Sequence, residues 1–318
     1  MLKAVISDHT FPTLDLQKKV IESAGFELTA IQPVCTTEDD VIERCGDADV
    51  LLVQWAPITR RVLKSLPRLK GVVRYGIGVN NIALDAAKEL GIMVANVPTY
   101  CIEEVSNHAM AMILGLARRI PQDHYGIAHG GWGVDSFPPI PSFLDMTLGL
   151  VGFGTIARLV AQKARSFGFH IAAADPYVNE STFTEHGVEQ IDLDKLLASA
   201  DIISLHCPLV PGTSHLISDK TIQKMKPGVL IINTSRGGII KESDLIKALI
   251  DGRVLGAGLD VFEQEPLSAD SLLRSLANVL LTSHAASGSL RAAKSLQIKA
   301  AESARDILQG KRPEGALV

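Results

Sequence analysis

Short apolar runs alternate with amphipathic stretches along the whole chain. Residues 2–7, 50–54, 71–75, 147–152, 170–174, 202–206, 229–233, 255–260 and 279–282 read as buried strands. They are brief, rich in β-branched side chains and bounded by Gly, Asp or Pro, which favours strand over helix. Between them, residues 14–24, 102–119, 156–167 and 243–250 carry helical periodicity. Strands alternating with helices in this way predict βαβ units, that is, an α/β fold of parallel sheets covered by helices on both faces. No internal repeat is visible.

Length and punctuation add a division. The 318 residues are about twice the usual domain length, so two domains are expected. Periodicity is lost from 121 to 145, where Gly130, Gly131, Pro138, Pro139 and Pro141 crowd around Trp132 and Phe143. So long an irregular stretch is expected to be functional or to reach a neighbouring molecule. The preceding helix is apolar around much of its circumference and must be buried on more than one side. The last stretch, 289–309, places Ala292, Ala293, Leu296, Ala300, Ala304 and Leu308 near one helical face, which could return to the first domain.

Composition narrows the function classes. Apolar residues make up 47% of the chain, too many for a disordered segment. The net charge of −4 and pI near 6.1 offer no strong positive field for nucleic acid or an anionic membrane. No apolar run approaches bilayer-spanning length, and the N-terminus does not read as a signal peptide. Cys35, Cys45, Cys101 and Cys207 form no C-x-x-C pair, and His124 and His129 have no acidic or thiolate companions. A reduced, cytoplasmic protein without a metal site is expected.

The most specific local signal is Gly152-Phe153-Gly154-Thr155-Ile156-Ala157, a G-x-G-x-x-A run that ends one strand and opens a helix. Gly152 permits a tight turn, Gly154 lets backbone approach a pyrophosphate, and Ala157 allows close helix–strand packing. Asp175 follows at the end of the next strand, where a carboxylate would bind an adenosine ribose and repel a 2′-phosphate. NAD is therefore expected over NADP. The bland alternative is a structural turn followed by a capping Asp.

Three later segments, 233–238, 260–266 and 282–288, also follow strand ends, where ligands of open α/β sheets bind. They hold one guanidinium, carboxylates and one imidazole. A forked cation can clamp a carboxylate, and an imidazole steadied by a carboxylate can exchange a hydroxyl proton near neutral pH. Those groups suit redox chemistry on a 2-hydroxy acid.

On these segments, on Arg74-Tyr75-Gly76-Ile77-Gly78-Val79-Asn80-Asn81-Ile82 and on His206-Cys207-Pro208-Leu209, the chain resembles the D-isomer-specific 2-hydroxyacid dehydrogenase family nearly end to end. Arg74-Tyr75-Gly76 and residues 100–105 look most like the branch of the C-terminal-binding proteins, with phosphoglycerate dehydrogenases somewhat more distant. The resemblance implies two Rossmann-like domains, with an NAD domain (101–288) inserted into a discontinuous substrate domain (1–100 and 289–318). It implies Arg236 as substrate clamp, Glu265 as partner of the histidine and His284 as acid/base. Gly76 and its neighbours would offer backbone N–H groups to the substrate carboxylate, making Gln54, Arg74, Tyr75, Gly76 and Ile77 the substrate contacts. Gly152, Gly154, Thr155, Ile156, Asp175, His206, Cys207, Pro208, Thr213, Thr234, Ser235, Arg236, Asp260, His284 and Ala286 would border NAD.

The implied assembly is a homodimer acting on a small 2-keto or 2-hydroxy acid. With the sequence ending at Val318, no C-terminal serine-sensing domain is expected. Some positions depart from the family pattern: Asn80 and Ala83 replace common Asp residues, Ser106-Asn107 replaces Ala-Glu or Ala-Asp, and Thr155 replaces a frequent basic residue. His108 is expected to be a satisfied core or interface histidine, Cys207 no nucleophile, and Trp55 either a packing or a substrate residue. A rival of another class is an NAD(H)-sensing interaction protein with little turnover. A relative acting on formate is disfavoured by Glu265.

Overall fold

The structure, a computed structural model, describes residues 1–132 and 140–318. The chain divides into two compact units, Met1–Cys101 with Gly288–Val318, and Ile102–Ser287.

The first unit runs β1 (Lys3–Ile6), α1 (Asp15–Glu22), β2 (Glu27–Ala30), α2 (Glu38–Arg44), β3 (Val50–Val53), α3 (Arg60–Ser65), β4 (Gly71–Arg74), α4 (Leu84–Glu89) and β5 (Met93–Ala95). Its sheet order is β2-β1-β3-β4-β5, every pair parallel. All four residues of β3 are buried, as expected of a central strand covered on both faces. A C-terminal helix, Leu290–Leu308, completes this unit by packing Leu296, Ala300, Ala304 and Ile307 against Ile6, Leu52 and Val73. Gly71 allows that seating, because a Cβ there would stand 2.8 Å from Ile307 Cγ2.

The second unit contains α5 (Ile102–Ala117), α6 (Ile120–Ala128), β6 (Thr147–Val151), α7 (Thr155–Arg165), β7 (His170–Ala174), α8 (Glu180–Glu185), β8 (Glu189–Gln190), α9 (Leu193–Ser199), β9 (Ile202–Leu205), α10 (Asp219–Ile222), β10 (Val229–Asn233), α11 (Glu242–Ile250), β11 (Val254–Leu259) and β12 (Val279–Leu281). The C-terminal helix of the first unit is then α12. The second sheet is again parallel, in the order β12-β11-β10-β9-β6-β7-β8. Strand order reverses between β6 and β9, and ligands of such sheets bind beyond the carboxyl ends of the strands at that point.

Helix α5 lies close on β11, because β11 carries glycine at both contact positions. A Cβ at Gly258 would fall 2.9 Å from Met112 Cβ, and one at Gly256 would fall 3.2 Å from Leu116 Cδ2.

The loss of periodicity expected from 121 is corrected by α6. Helix α5 ends at Ala117, Arg119 turns the chain in the left-handed region (φ 55°), and α6 restarts with Pro121 in its first turn. Proline is well placed there, since the amide it lacks has no intrahelical partner in that turn. Beyond α6, Phe143 opens a short 3-10 turn and stacks on Phe169 at 4.6 Å. Residues 133–139, with Pro138 and Pro139, lie outside the described residues.

Candidate active site

At the carboxyl end of β6 the backbone turns sharply through Gly152, whose φ of +89° disfavours any side chain. A Cβ there would also stand 2.8 Å from Cys207 N and 2.9 Å from His206 C, so the ends of β6 and β9 touch at this glycine. The Phe153 amide donates to Asp175 Oδ2 at 2.8 Å and the Tyr177 amide to Oδ1 at 2.9 Å. Asp175 is thereby held against the glycine turn, and each oxygen keeps a lone pair for a further donor.

Gly154 is the N-cap of α7, without a side-chain cap, and a Cβ there would meet no atom within 4 Å. A helix N-terminus with unbonded amides and open space beside its glycine fits a diphosphate. Thr155 is exposed and Ile156 half-buried on the first turn. Sequence reasoning overlooked Arg158, whose Nη2 lies 3.4 Å from Thr155 Oγ1. Its i+3 spacing from Thr155 was the available signal.

Residues after β9 and β10 form the next wall. Desolvation lowers the His206 pKa to about 4, and its Nε2 lies 2.9 Å from Ser204 Oγ, so the ring is neutral at ordinary pH. Burial pushes the Cys207 thiol up to about 11, which disfavours a nucleophilic thiolate. Ser235 Oγ donates to the Cys207 carbonyl at 2.5 Å. Thr213 Oγ1 donates to the Pro208 carbonyl at 2.5 Å and accepts from the Val210 amide at 2.9 Å, closing that loop on itself. Thr234 Oγ1 is buried without a partner, an orphaned polar atom of the kind a bound cofactor satisfies.

The imidazole and the carboxylates converge from the loops after β12 and β11. His284 Nδ1 lies 2.7 Å from Glu265 Oε2, and both side chains are about one-third exposed. Glu265 Oε1 also accepts from the Phe262 amide at 3.1 Å. Burial works against the Glu265 charge, but the His284 and Phe262 hydrogen bonds and the Arg236 guanidinium outweigh it. The Glu265 pKa ends below the ordinary carboxylate value.

Arg236 Nη1 donates to the Ser235 carbonyl at 2.6 Å, and Asn233 pins the turn by bonding the Arg236 carbonyl at 2.9 Å and the Ser235 amide at 3.0 Å. His284 itself sits in the left-handed region (φ 53°), its amide bonded to the Asp260 carbonyl at 2.8 Å. Buried Asp260 accepts from Thr282 Oγ1 (2.5 Å) and the Ala285 amide (2.8 Å) through Oδ1, and from the Ala286 amide (3.0 Å) through Oδ2.

A second imidazole–carboxylate pair escaped sequence reasoning. His215, also left-handed (φ 50°), places Nε2 2.7 Å from Glu263 Oε1. Glu263 and Glu242 accept each other's backbone amides. Burial first, then the charges of Glu263 and Glu265, raise the Glu242 pKa.

Gln54, Arg74, Tyr75, Gly76 and Ile77 gather at the carboxyl ends of β3 and β4 in the first unit. Gln54 Oε1 accepts from the Thr10 amide at 2.9 Å. Arg74 Cζ lies 5.4 Å from the Trp55 ring centre, a cation–π contact, and Trp55 is 54% exposed. Gly76 stands at φ 137°, a conformation side chains rarely adopt, and Arg74 Nη1 lies 1.5 Å from where a Cβ would be. Tyr75 is a core side chain, edge-on to Phe11 at 5.0 Å, and Ile77 is half-exposed. Asp8, not singled out from sequence, is buried and accepts from the amides of Gln54 (3.1 Å), Trp55 (2.5 Å) and Ala56 (3.2 Å), fixing the loop after β3.

Comparison with known proteins places this arrangement. Residues 110–286 match the family described as D-isomer specific 2-hydroxyacid dehydrogenase, NAD binding domain, so the second unit carries the NAD-binding domain and NAD is the cofactor. The chain is 40% identical over 273 residues to the D-3-phosphoglycerate dehydrogenase of Mycobacterium tuberculosis, covering 86% of this chain and 51% of that one. It thus spans about half the length of that relative. It is 33% identical over 303 residues to the hydroxypyruvate reductase of Blautia hydrogenotrophica, covering 93% of each. Among solved structures, D-lactate dehydrogenase from Aquifex aeolicus, complexed with NAD and lactic acid, superposes with a TM-score of 0.83 at 28% identity over 97% of this chain and 96% of that one. The glycine turn, the strand order and these matches together make the chain a member of the D-isomer-specific 2-hydroxyacid dehydrogenase family.

Proposed function

We propose that the protein interconverts a small 2-keto acid and its D-2-hydroxy acid, with His284 as acid/base, Glu265 as its partner and Arg236 as the clamp on the substrate carboxylate. The observation that carries this reading is the 2.7 Å His284–Glu265 pair, with the Arg236 charge acting on the same carboxylate. The glycine turn of Gly152 and Gly154 with Asp175 would hold NADH, which would supply the hydride. During reduction a proton must reach the oxygen on C2. With Nδ1–H donated to Glu265, Nε2 is the ring nitrogen that delivers it.

An NADH-absorbance panel of glyoxylate, hydroxypyruvate, pyruvate and phosphohydroxypyruvate tests the reading. Turnover of at least one supports it. A cofactor fluorescence change with no turnover on any would favour an NAD(H)-sensing interaction protein.

NAD is preferred over NADP, because Asp175 would confront a 2′-phosphate with a carboxylate held by two amides. Asp175→Ala relaxes that preference; equal kcat/KM with both cofactors in the unmutated protein would refute it.

The protein assembles as a homodimer in the cytoplasm. Ile120, Tyr125, Ile127 and Trp132 are each at least half exposed along α6 and just beyond it. So clustered a set of large apolar side chains favours a partner surface. Light scattering at micromolar concentration is expected to report twice the 34.1 kDa chain mass, and a monomer contradicts this assembly.

A further inference from the structure

Helix α5 and strand β11 run past one another with matched repeats. Four helical residues rise about 6.0 Å and two strand residues about 6.6 Å. Leu116 therefore stands over Gly256 and Met112 over Gly258. The same step brings His108 over Asp260, with Nε2 3.7 Å from Oδ1. Thr282 bridges them: its Oγ1 lies 2.9 Å from His108 Nε2 and 2.5 Å from Asp260 Oδ1.

A hydroxyl has one proton. At that distance Thr282 gives it to the carboxylate, so the Thr282 oxygen accepts from His108 and Nε2 must carry a hydrogen. The chain of bonds reads His108 Nε2–H to Thr282 Oγ1–H to Asp260 Oδ1. Asp260 is 1% exposed, and a carboxylate so buried needs every donor it has. Its carboxylate and its own carbonyl hold the amides of Ala285, Ala286 and His284. His284 is a non-glycine residue at positive φ, a conformation that persists only where its surroundings over-determine it.

We propose that His108 is a positioning residue for the acid–base step, fixing through Thr282 the Asp260 carboxylate and with it the turn that presents His284. This role rests on His284 being the acid/base group.

The test uses the full chain and the keto acid turned over fastest, measuring kcat, KM and, by fluorescence, the NADH Kd. His108→Leu and Thr282→Val are expected to lower kcat about tenfold, as loss of a hydrogen bond to a charged group does, with NADH Kd within about threefold. His108→Gln, whose amide N–H can replace Nε2–H, is expected to recover kcat to within about threefold of wild type. Adding His108→Leu to His284→Ala should cost nothing further, since both act through one group. Three results would overturn the role: wild-type kcat in His108→Leu, a His108→Gln variant as slow as His108→Leu, or independent losses in the double variant. Wild-type kcat in His284→Ala alone would instead overturn the acid–base assignment, and this role with it.

Discussion

His284→Ala is expected to lose about 10²–10⁴-fold in kcat, the usual contribution of a positioned acid–base group. The reason is geometric. Glu265 orients the ring through Nδ1 at 2.7 Å, while the nearby His215 is engaged by Glu263 instead. The pH profile of kcat/KM extends the test. Reduction needs the imidazolium, so its rate falls as pH rises; oxidation needs the neutral ring and rises there.

Glu265→Gln keeps an acceptor for Nδ1 but removes the counter-charge, so the alkaline limb of reduction should move to lower pH. On the acid side the sign is opposite. The Glu265 pKa is lowered in the fold, so its carboxylate contributes fully above the ordinary carboxylate range and is lost only as pH falls through that lowered value. Superimposable profiles for wild type and Glu265→Gln would refute the tuning role.

Gly237→Ala is expected to damage stability and turnover together. A Cβ there would stand 1.9 Å from both the carbonyl carbon and oxygen of Phe262, and 2.6 Å from the Glu263 amide. Those are backbone atoms, so a whole loop must shift, and it is the loop that carries Glu265. Overpacking of this kind costs about 1–3 kcal/mol or more, visible as a lower urea midpoint. Displacing Arg236 and the His284–Glu265 pair by about 1 Å is expected, on the proposed roles, to cost about 10²-fold in kcat/KM. Gly126→Ala, inside α6 with nothing within 4 Å of a new Cβ, is the control and should be neutral or stabilising. Equal behaviour of the two variants would show that close approach at 237 is unimportant.

The central strands were legible because burial on both faces writes an unbroken apolar run, as in Val50–Val53. Edge strands β2 and β8 were not. Glu27–Ala30 shows no fully buried residue, and Glu189–Gln190 is polar and exposed. An edge needs no apolar run and is often kept polar to discourage pairing. Helix α6 was hidden by the proline that opens it. In the site, the glycine turn and the Asp175 that follows it could be read from spacing, whereas the roles expected of Arg236, Glu265 and His284 came from the family resemblance.

What spacing does not encode is a pairing made by the sheet. Glu263 lies 48 residues from His215, and Asp8 lies 46 to 48 residues from the three amides it holds. Such pairs become visible only once parallel strands align distant loops.

The first unit is assembled from both ends of the sequence. Its sheet is finished by late residues: the Leu317 amide bonds the Val94 carbonyl at 2.7 Å, and the Asn96 amide bonds the Gly315 carbonyl at 3.0 Å. During synthesis β1 to β5 emerge before the second unit, with the face later covered by Leu296, Ala300, Ala304 and Ile307 still bare. That apolar face waits while the entire second unit is translated, a natural substrate for chaperones in the interval. The entropy of closing so long a chain grows only logarithmically with its length, and prior folding of the second unit shortens the flexible path. The core of the first unit is therefore completed by a helix, α12, that is translated only after the whole second unit.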